Sequence, residues 1–593
     1  MFLFGSKEQL YRALKEEGKP LIGEECARFA GHKSDPWIEG QLQLIRQRAQ
    51  EYLQKPAPQL SYQLFRRYWE DGDRIHFEDA YFERRGRLLV FSLLCWLEPE
   101  NVQWLHETED ILWLICSEPF WCIPPHLTGM QDKVLPFNEF ATHLDLFSAE
   151  TGFAIAEVLA LCEDRLAPDV VSQAQLQLER RIFAPFFDGR TAFKFEAMKN
   201  NWAAVCGGAI GGAALYRLKD RYALASILHR CLGCMRVYLD SFREDGICEE
   251  GVSYWNYGFG FFVCFADLLC KRTGGEIDLL AEAKPAAIAK GQAVFYLAGP
   301  HTISFSDGNS HSGYRMGLSC YLQNRFPDAA IPDKQYADDL LHDHCFRYCL
   351  ALRDLLWYDP QACFGLPKES AAWMPDTQWL ISRTEKLQLA AKAGHNAESH
   401  NHNDCGSFLL LKEGVPMLCD LGAGLYNAQY FGPQRYSVFV NSSRSHNLPV
   451  IGGALQQEGR QAAAREVTAA LGETDRLSME LSGCYPLKTL QSFQREICHE
   501  RAAGCLKIRD RFSFSEPEKV TEAFVSRSPI RLQEGCAVFS REGVELRLHF
   551  PQELTPSLLE ERYPDHRGIE QTAYLLHLEG RPQKEQTLEL CFQ

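Results

Sequence analysis

The chain has 593 residues, 46% of them hydrophobic and 24% charged, and carries a formal net charge of -16. That length exceeds what one hydrophobic core supports, so several domains are expected. The acidic balance lacks the basic field that nucleic acid or an anionic membrane surface would need in a partner, while leaving room for an acidic sugar in a local cleft.

No apolar run reaches the roughly eighteen residues a membrane helix needs. The opening residues Met1 to Glu8 turn polar before an apolar segment of signal-peptide length can form. The 22 cysteines are scattered without a framework of regular spacings, which predicts reduced, buried thiols. A cytoplasmic protein is expected, and the sequence leaves a homodimer open.

From 41 to about 357, apolar residues recur at three- and four-residue intervals in some ten segments. Among them are 86–97, 151–162, 203–218, 221–242, 255–271 and 337–357, and consecutive helices are expected. Cys231 and Cys234 form a lone C-x-x-C that reads as helix core. His342, Asp343, His344 and Cys345 fall in segment 337–357 and read as a helix with mixed faces rather than as a second metal set. The connectors 120–125, 246–258 and 306–311 are rich in aromatic, Gly and polar residues, a composition suited to lining a sugar cleft.

Asn200, Asn201 and Trp202 precede a Gly- and Ala-rich helix, where adjacent amides can cap the helix or meet a ligand. Glu249, Glu250, Tyr254, Trp255, Asn256 and Tyr257 crowd one short segment whose rings can cover the core or line a site. Pro and Gly interrupt the helical period between 358 and 375. Beyond it, about a dozen short alternating segments predict strands with no helices between them. The expected fold class is α+β multidomain, a helical domain over 1–370 and an antiparallel β domain over 371–593.

The densest polar chemistry lies between 398 and 453. Read as a strand, 399–404 places His400, His402 and Asp404 on one face. A hairpin over 408–418, turning at Lys412-Glu413-Gly414, returns Asp420 toward the histidines, and Ser443-Arg444-Ser445-His446-Asn447 adds another imidazole. Imidazole and carboxylate from separate segments suit a tetrahedral zinc ion, and they equally suit a satisfied polar network.

Taken in order, the Asn-Asn-Trp segment, the Glu-Gly-x-x-Tyr-x-x-Tyr segment, His-x-His-x-Asp, the later Asp and Ser-x-His-Asn resemble the heparinase II/III-like polysaccharide lyases. The matched order runs from about 199 to 460. The resemblance implies an N-terminal incomplete α/α toroid followed by a C-terminal antiparallel β-sandwich, with the active site between them. It implies β-elimination of an acidic, uronate-containing oligosaccharide or polysaccharide, glycosaminoglycan-derived or alternatively alginate. Tyr254 then matches the catalytic tyrosine and His400 the catalytic histidine. Asn201 matches the amide at the substrate carboxylate, and His402, Asp420 and His446 match the zinc ligands. Asn200, Trp202, Glu250 and Tyr257 fall where substrate would bind, and Arg435 and Arg444 are candidate cationic neighbours for the tyrosine. Where some members carry His directly after the Asn, this chain has Trp202. The rivals are a toroid glycoside hydrolase using carboxylates such as Asp245, Glu249, Glu250 or Asp307, and a carbohydrate-binding protein without turnover.

Overall fold

Glycines set the centre of the helical half. In the helix Asn201–Arg217, a Cβ on Gly207 would lie 2.6 Å from the Cys234 side chain. One on Gly211 would lie 2.4 Å from the Phe265 ring, and one on Gly212 2.6 Å from Phe153. Bare backbone at these positions lets the helices Arg221–Leu239, Gly260–Arg272 and Leu146–Cys162 pack directly against it. An inner row of neighbours results, running Ile75–Leu97, Leu146–Cys162, Asn201–Arg217, Gly260–Arg272 and Tyr348–Leu356. Val102–Cys116, Pro168–Leu178 and Arg221–Leu239 lie outside it. This layered arrangement is the expected α/α toroid.

The computed structural model describes residues 6–15, 20–128, 133–187, 189, 191–398, 400–426, 429–430 and 432–593. Ser399, the first residue of the 399–404 motif, lies outside them. Among the described residues no helix is long and apolar enough to cross a membrane. All 22 cysteines are free thiols, most of them buried.

A five-stranded antiparallel sheet opens the β half, in the order Ser370–Met374, Trp379–Arg383, Leu387–Lys392, Phe408–Lys412, Val415–Leu418. Alternate side chains of its inner strands enter different cores. Trp379, Ile381, Ala390, Leu409 and Leu411 join the helical core, whereas Leu380, Leu389, Phe408 and Leu410 join the β core. This period-two division between two apolar surroundings explains why Trp379–Arg383 and Leu387–Lys392 are buried at every residue. It also ties the halves together along a packed seam. Behind this sheet stands an eight-stranded antiparallel sheet from Arg465–Ala470 to Ile530–Gln533, and a four-stranded sheet flanks it. Phe493, Phe512 and Phe592 of the large sheet share one core with Phe408.

Two expectations fail. Segment 337–347 is a series of turns, and the helix begins only at Tyr348. Phe346 is left-handed (φ 50°), and the Asp343 carboxylate binds the Arg347 guanidinium at 2.8 Å, so local polar pairing replaces the helical ladder. The 399–404 strand is likewise absent from the described residues 400–404. His400 has φ 55°, and Asp404 turns to the fully buried Lys392, 2.7 Å away, rather than sharing a face with the histidines.

Candidate active site and metal centre

Charge pairing shapes the loop that carries the histidines. Lys392 ends its strand with its ammonium sealed from water, bonded to Glu398 (2.9 Å) and Asp404 (2.7 Å). These bonds pin both ends of the 398–404 loop, because a buried ammonium is tolerated only with such partners. His400 and His402 are thereby turned to the helical half.

There they meet Asp307, set in a tight turn where a Cβ on Gly308 would come within 2.9 Å of the Phe305 carbonyl oxygen. Asp307 Oδ2 accepts from His400 Nδ1 (2.7 Å) and Tyr426 (3.0 Å). Its Oδ1 accepts from His402 Nε2 (3.0 Å), from Tyr430 and from Arg435 (3.4 Å). Burial opposes the Asp307 charge, but the two histidine bonds outweigh it and hold the carboxyl far below the usual range. For His400, burial is outweighed by the Asp307 bond and by Glu250, whose carboxylate is 3.8 Å from Nε2, so the imidazole is raised.

With its Nε2 proton on Asp307, His402 presents Nδ1 to Asp420 Oδ1 at 3.9 Å. His446 Nδ1 lies 3.0 Å from Asp420 Oδ2. The three residues are essentially sealed from solvent, and one ligand atom from each lies within 4.8 Å of the others. His402 Nδ1, Asp420 Oδ2 and both ring nitrogens of His446 have no hydrogen-bond partner. Orphaned buried polar atoms are costly. One such donor from each of the three residues, gathered at one place, fits a bound metal ion better than a closed polar network. The set Asp343, His344 and Cys345 is also compact, but Asp343 is already committed to Arg347.

Tyr254 comes from the helical half. Gly251, at φ 96°, starts the short helix Val252–Tyr254, and a π-helical turn, Trp255–Phe259, carries the chain into Gly260–Arg272. The fully buried Trp255 anchors that turn by donating to the Ile288 carbonyl (2.8 Å). The half-buried Tyr254 ring lies 5.0 Å from the His400 ring. Burial, Glu250 and Asp307 push its phenol well above the ordinary value, and a hydrogen bond with Tyr426 works the other way.

The remaining expected residues divide. Asn201 is buried at the start of its helix, and its Cβ is so close to Gly258 that any side chain there would press on it at 3.0 Å. This places the Asn201 Cβ against the turn that follows Tyr254. Glu250 stands beside His400. Asn200 is the helix cap, accepting from the Trp202 N–H (3.1 Å), and Trp202 lies edge-on to His126 at 4.7 Å. Three expectations need correction. The Tyr257 hydroxyl is taken by Glu150, and the Arg347 guanidinium lies 3.7 Å from its ring, inside the helical interior. Arg444 is half-exposed and paired with Glu561 on the β surface. Arg435 bonds the Asn401 and Tyr430 carbonyl oxygens and Asp307, bracing the loop rather than serving Tyr254.

Three of the four carboxylates of the hydrolase alternative, all but Glu250, are also committed elsewhere. Asp245 accepts from Asp376 and Thr377 across the seam, Glu249 pairs with Arg243 at 2.6 Å, and Asp307 holds the histidines. Sequence reasoning missed Asp307 as the hub, and with it Tyr426 and Tyr430. A signal existed in the polar Ser306-Asp307-Gly308-Asn309 turn, and in two tyrosines four residues apart between the Asp and His of the metal set.

Residues 366–589 match the family model described as "Heparinase II/III-like, C-terminal". No curated protein sequence matches the chain. Among solved structures, heparinase III is similar at a TM-score of 0.60 and 11% identity, over 98% of this chain and 93% of that one. The heparan sulfate lyase HepC of Pedobacter heparinus is similar at 0.58 and 12%, over 98% and 92%. The chondroitin AC lyase of Streptomyces coelicolor A3 follows at 0.50 and 10%, over 99% and 82%. The toroid-plus-sandwich fold is thus that of these proteins. The C-terminal part of the chain is similar to the heparinase II/III-like family, and the whole chain shares the fold of these lyases.

Proposed function

We propose that the protein is a polysaccharide lyase that cleaves 4-linked uronate glycosides by β-elimination, acting on glycosaminoglycan-type chains of the heparan class. One observation carries the reading: Tyr254 from the helical half faces His400 from the β half at 5.0 Å, and that histidine is fixed on Asp307. The family match and the heparinase III and heparan sulfate lyase neighbours support the same class of chemistry.

Elimination removes the uronate C5 proton, which is barely acidic while the adjacent carboxylate is ionised. His400, with Nδ1 held by Asp307, offers its other ring nitrogen to that carboxylate, and the Asn201 amide is a second fixed donor. Preorganised donors aimed at developing charge supply the largest share of such barrier lowering. Tyr254 takes the C5 proton and returns one to the leaving oxygen. If the sugar binds with C5 on the opposite side, His400 is the base and Tyr254 only the acid. His402, Asp420 and His446 would hold zinc, which when bound braces the segments that present His400.

Purified protein given heparan, chondroitin, hyaluronan and alginate oligosaccharides should release an ultraviolet-absorbing unsaturated uronate, first from the heparan set. Tyr254→Phe should abolish that signal, a loss of at least about 100-fold. Saturated products would assign a hydrolase instead. Undiminished turnover in the variant would remove Tyr254 from the mechanism.

A further inference from the structure

The connector before the helix Leu146–Cys162 holds a histidine that the chemistry at Tyr254 does not use. His126 Nδ1 lies 2.8 Å from Asp145 Oδ2. Asp145 has no exposure and caps that helix, accepting from the Ser148 N–H at 2.7 Å. Burial opposes the Asp145 charge, but the His126 bond and the Ser148 N–H outweigh it and hold the carboxyl below its ordinary range. An ionised carboxylate keeps a proton on Nδ1, which leaves Nε2 as the working edge of the ring.

The ring is clamped. It stacks on Phe147 with centroids 5.6 Å apart and planes 2° from parallel, and Trp202 meets it edge-on at 4.7 Å. The buried Trp121 and Trp255 indoles donate to carbonyl oxygens. By contrast, the Trp202 indole N–H and His126 Nε2 have no hydrogen-bond partner among the described residues, and neither atom is sealed from solvent. A core histidine would have both nitrogens bonded. Here a sealed carboxylate fixes one nitrogen and leaves the other open.

The inner row of helices sets the position of this pair. Asn201–Arg217 packs between Leu146–Cys162 and Gly260–Arg272. Trp202 meets His126 on the side of the first, and a Cβ on Gly258, just before the last, would lie 3.0 Å from the Asn201 Cβ. His126 therefore stands beyond Asn201 from the Tyr254 segment, and packed helices lie about 8–10 Å apart. That offset suits a sugar beside the one that loses its proton. The chain carries a net charge of -16, and Arg435 and Arg444 are engaged elsewhere, so an acidic substrate needs another local cation. Lys194 adds positive charge nearby, with Nζ 3.3 Å from the Thr128 hydroxyl. His143 and Glu78 also face His126, and Glu78 is paired with Arg74 at 2.6 Å.

We propose that His126 and Trp202 form a flanking subsite that takes a sugar with its apolar face on the indole and an anionic substituent, sulfate ester or uronate carboxylate, on His126 Nε2. The inference rests on the lyase reading for the sugar's place in the substrate. Nε2 takes a proton from water and donates it to the anion in a charge-assisted bond, and Asp145 balances the imidazolium.

Calorimetric binding to the Tyr254→Phe protein, which leaves the sugar intact, tests it with three heparan tetrasaccharides: sulfated, desulfated, and sulfated with its carboxyl groups reduced. His126→Asn keeps an amide N–H for Asp145 and removes Nε2. It should weaken the probes that carry the recognised anion about 10- to 100-fold and spare the one that lacks it. Sparing of the desulfated sugar assigns a sulfate, and sparing of the carboxyl-reduced sugar assigns a carboxylate. Asp145→Asn, which retains the cap and the ring but not the balancing charge, should show the same selectivity. Trp202→Leu should weaken all three probes alike, about 2- to 10-fold. No loss in His126→Asn, an equal loss on all three probes, or a parent protein that binds none of them overturns the proposal. In turnover, His126→Asn should raise KM with kcat within about two-fold, and a fall confined to kcat overturns it as well. Wild-type protein that yields no unsaturated product, while binding keeps this selectivity, would sink the lyase reading alone.

Discussion

Asp307 and His402 meet at 3.0 Å across the seam between the helical and β halves, one carboxylate oxygen on the ring nitrogen that faces away from Asp420. The second oxygen of the same carboxylate holds His400 at 2.7 Å. A single side chain of the helical half therefore sets the tautomer of a candidate metal ligand and of the histidine proposed to meet substrate.

Asp307→Asn should damage both roles together. The amide keeps the shape but loses the charge and one acceptor, so metal affinity and turnover should each fall about 10- to 100-fold. Metal analysis beside product absorbance would show it. Loss of turnover with full metal retention would confine Asp307 to His400.

The two histidines of the His-x-His pair should separate under mutation. His402→Ala removes a donor from a fully buried set and should release the metal and lower the thermal midpoint. His400→Ala should retain metal and midpoint and lose turnover. Chelation should resemble His402→Ala. A chelated protein with an unchanged midpoint and no turnover would contradict the bracing role.

Lys392 has no exposure and neutralises both Glu398 and Asp404. Lys392→Met leaves two carboxylates buried and uncompensated, and removing one partner of such a cluster costs about 3–5 kcal/mol. Denaturant unfolding should show that loss. Because the pair anchors the His400 loop, turnover should fall with it. A change of under about 1 kcal/mol, the scale of a surface pair, would mean the loop is held by other contacts.

Glu150 gives the pH prediction. Burial raises its carboxyl to about 7, against the opposing effects of Arg347 and Tyr257. Its folded value lies above the ordinary 4.5, so the native chain keeps a proton the unfolded chain has released. The associated stability is complete below about pH 4.5 and is lost as pH rises to about 7. Glu150→Gln should flatten the fall in unfolding free energy between pH 5 and 8 by up to about 3 kcal/mol. Parallel pH profiles for both proteins would refute the shift.

Much of the architecture is legible locally. The helix Asn201–Arg217 follows from three- and four-residue apolar spacing, and the hairpin joining Phe408–Lys412 to Val415–Leu418 from its turn, where Glu413 and Gly414 both take positive φ. The His400–Asp404 segment misled because alternation is only a necessary mark of a strand. Lys392 drew Asp404 one way while Asp307 drew the histidines the other. Segment 337–347 misled for a related reason, since the Asp343 pairing with Arg347 displaced the helical bonds.

The sequence by itself determined the two-part fold, through a helical period that gives way to alternation, while the candidate metal set and the pairing of Tyr254 with His400 were expected from the resemblance that the order of motifs carries. Only the tertiary structure decided that Asp307 is the hub, that Tyr426 and Tyr430 bond it, and that Tyr257 and Arg444 are engaged elsewhere. Asp307 lies 93 residues from His400 and 119 from Tyr426 along the chain. No local pattern encodes a contact at that separation. The packed seam, where one sheet divides its side chains between two cores, brings these groups together.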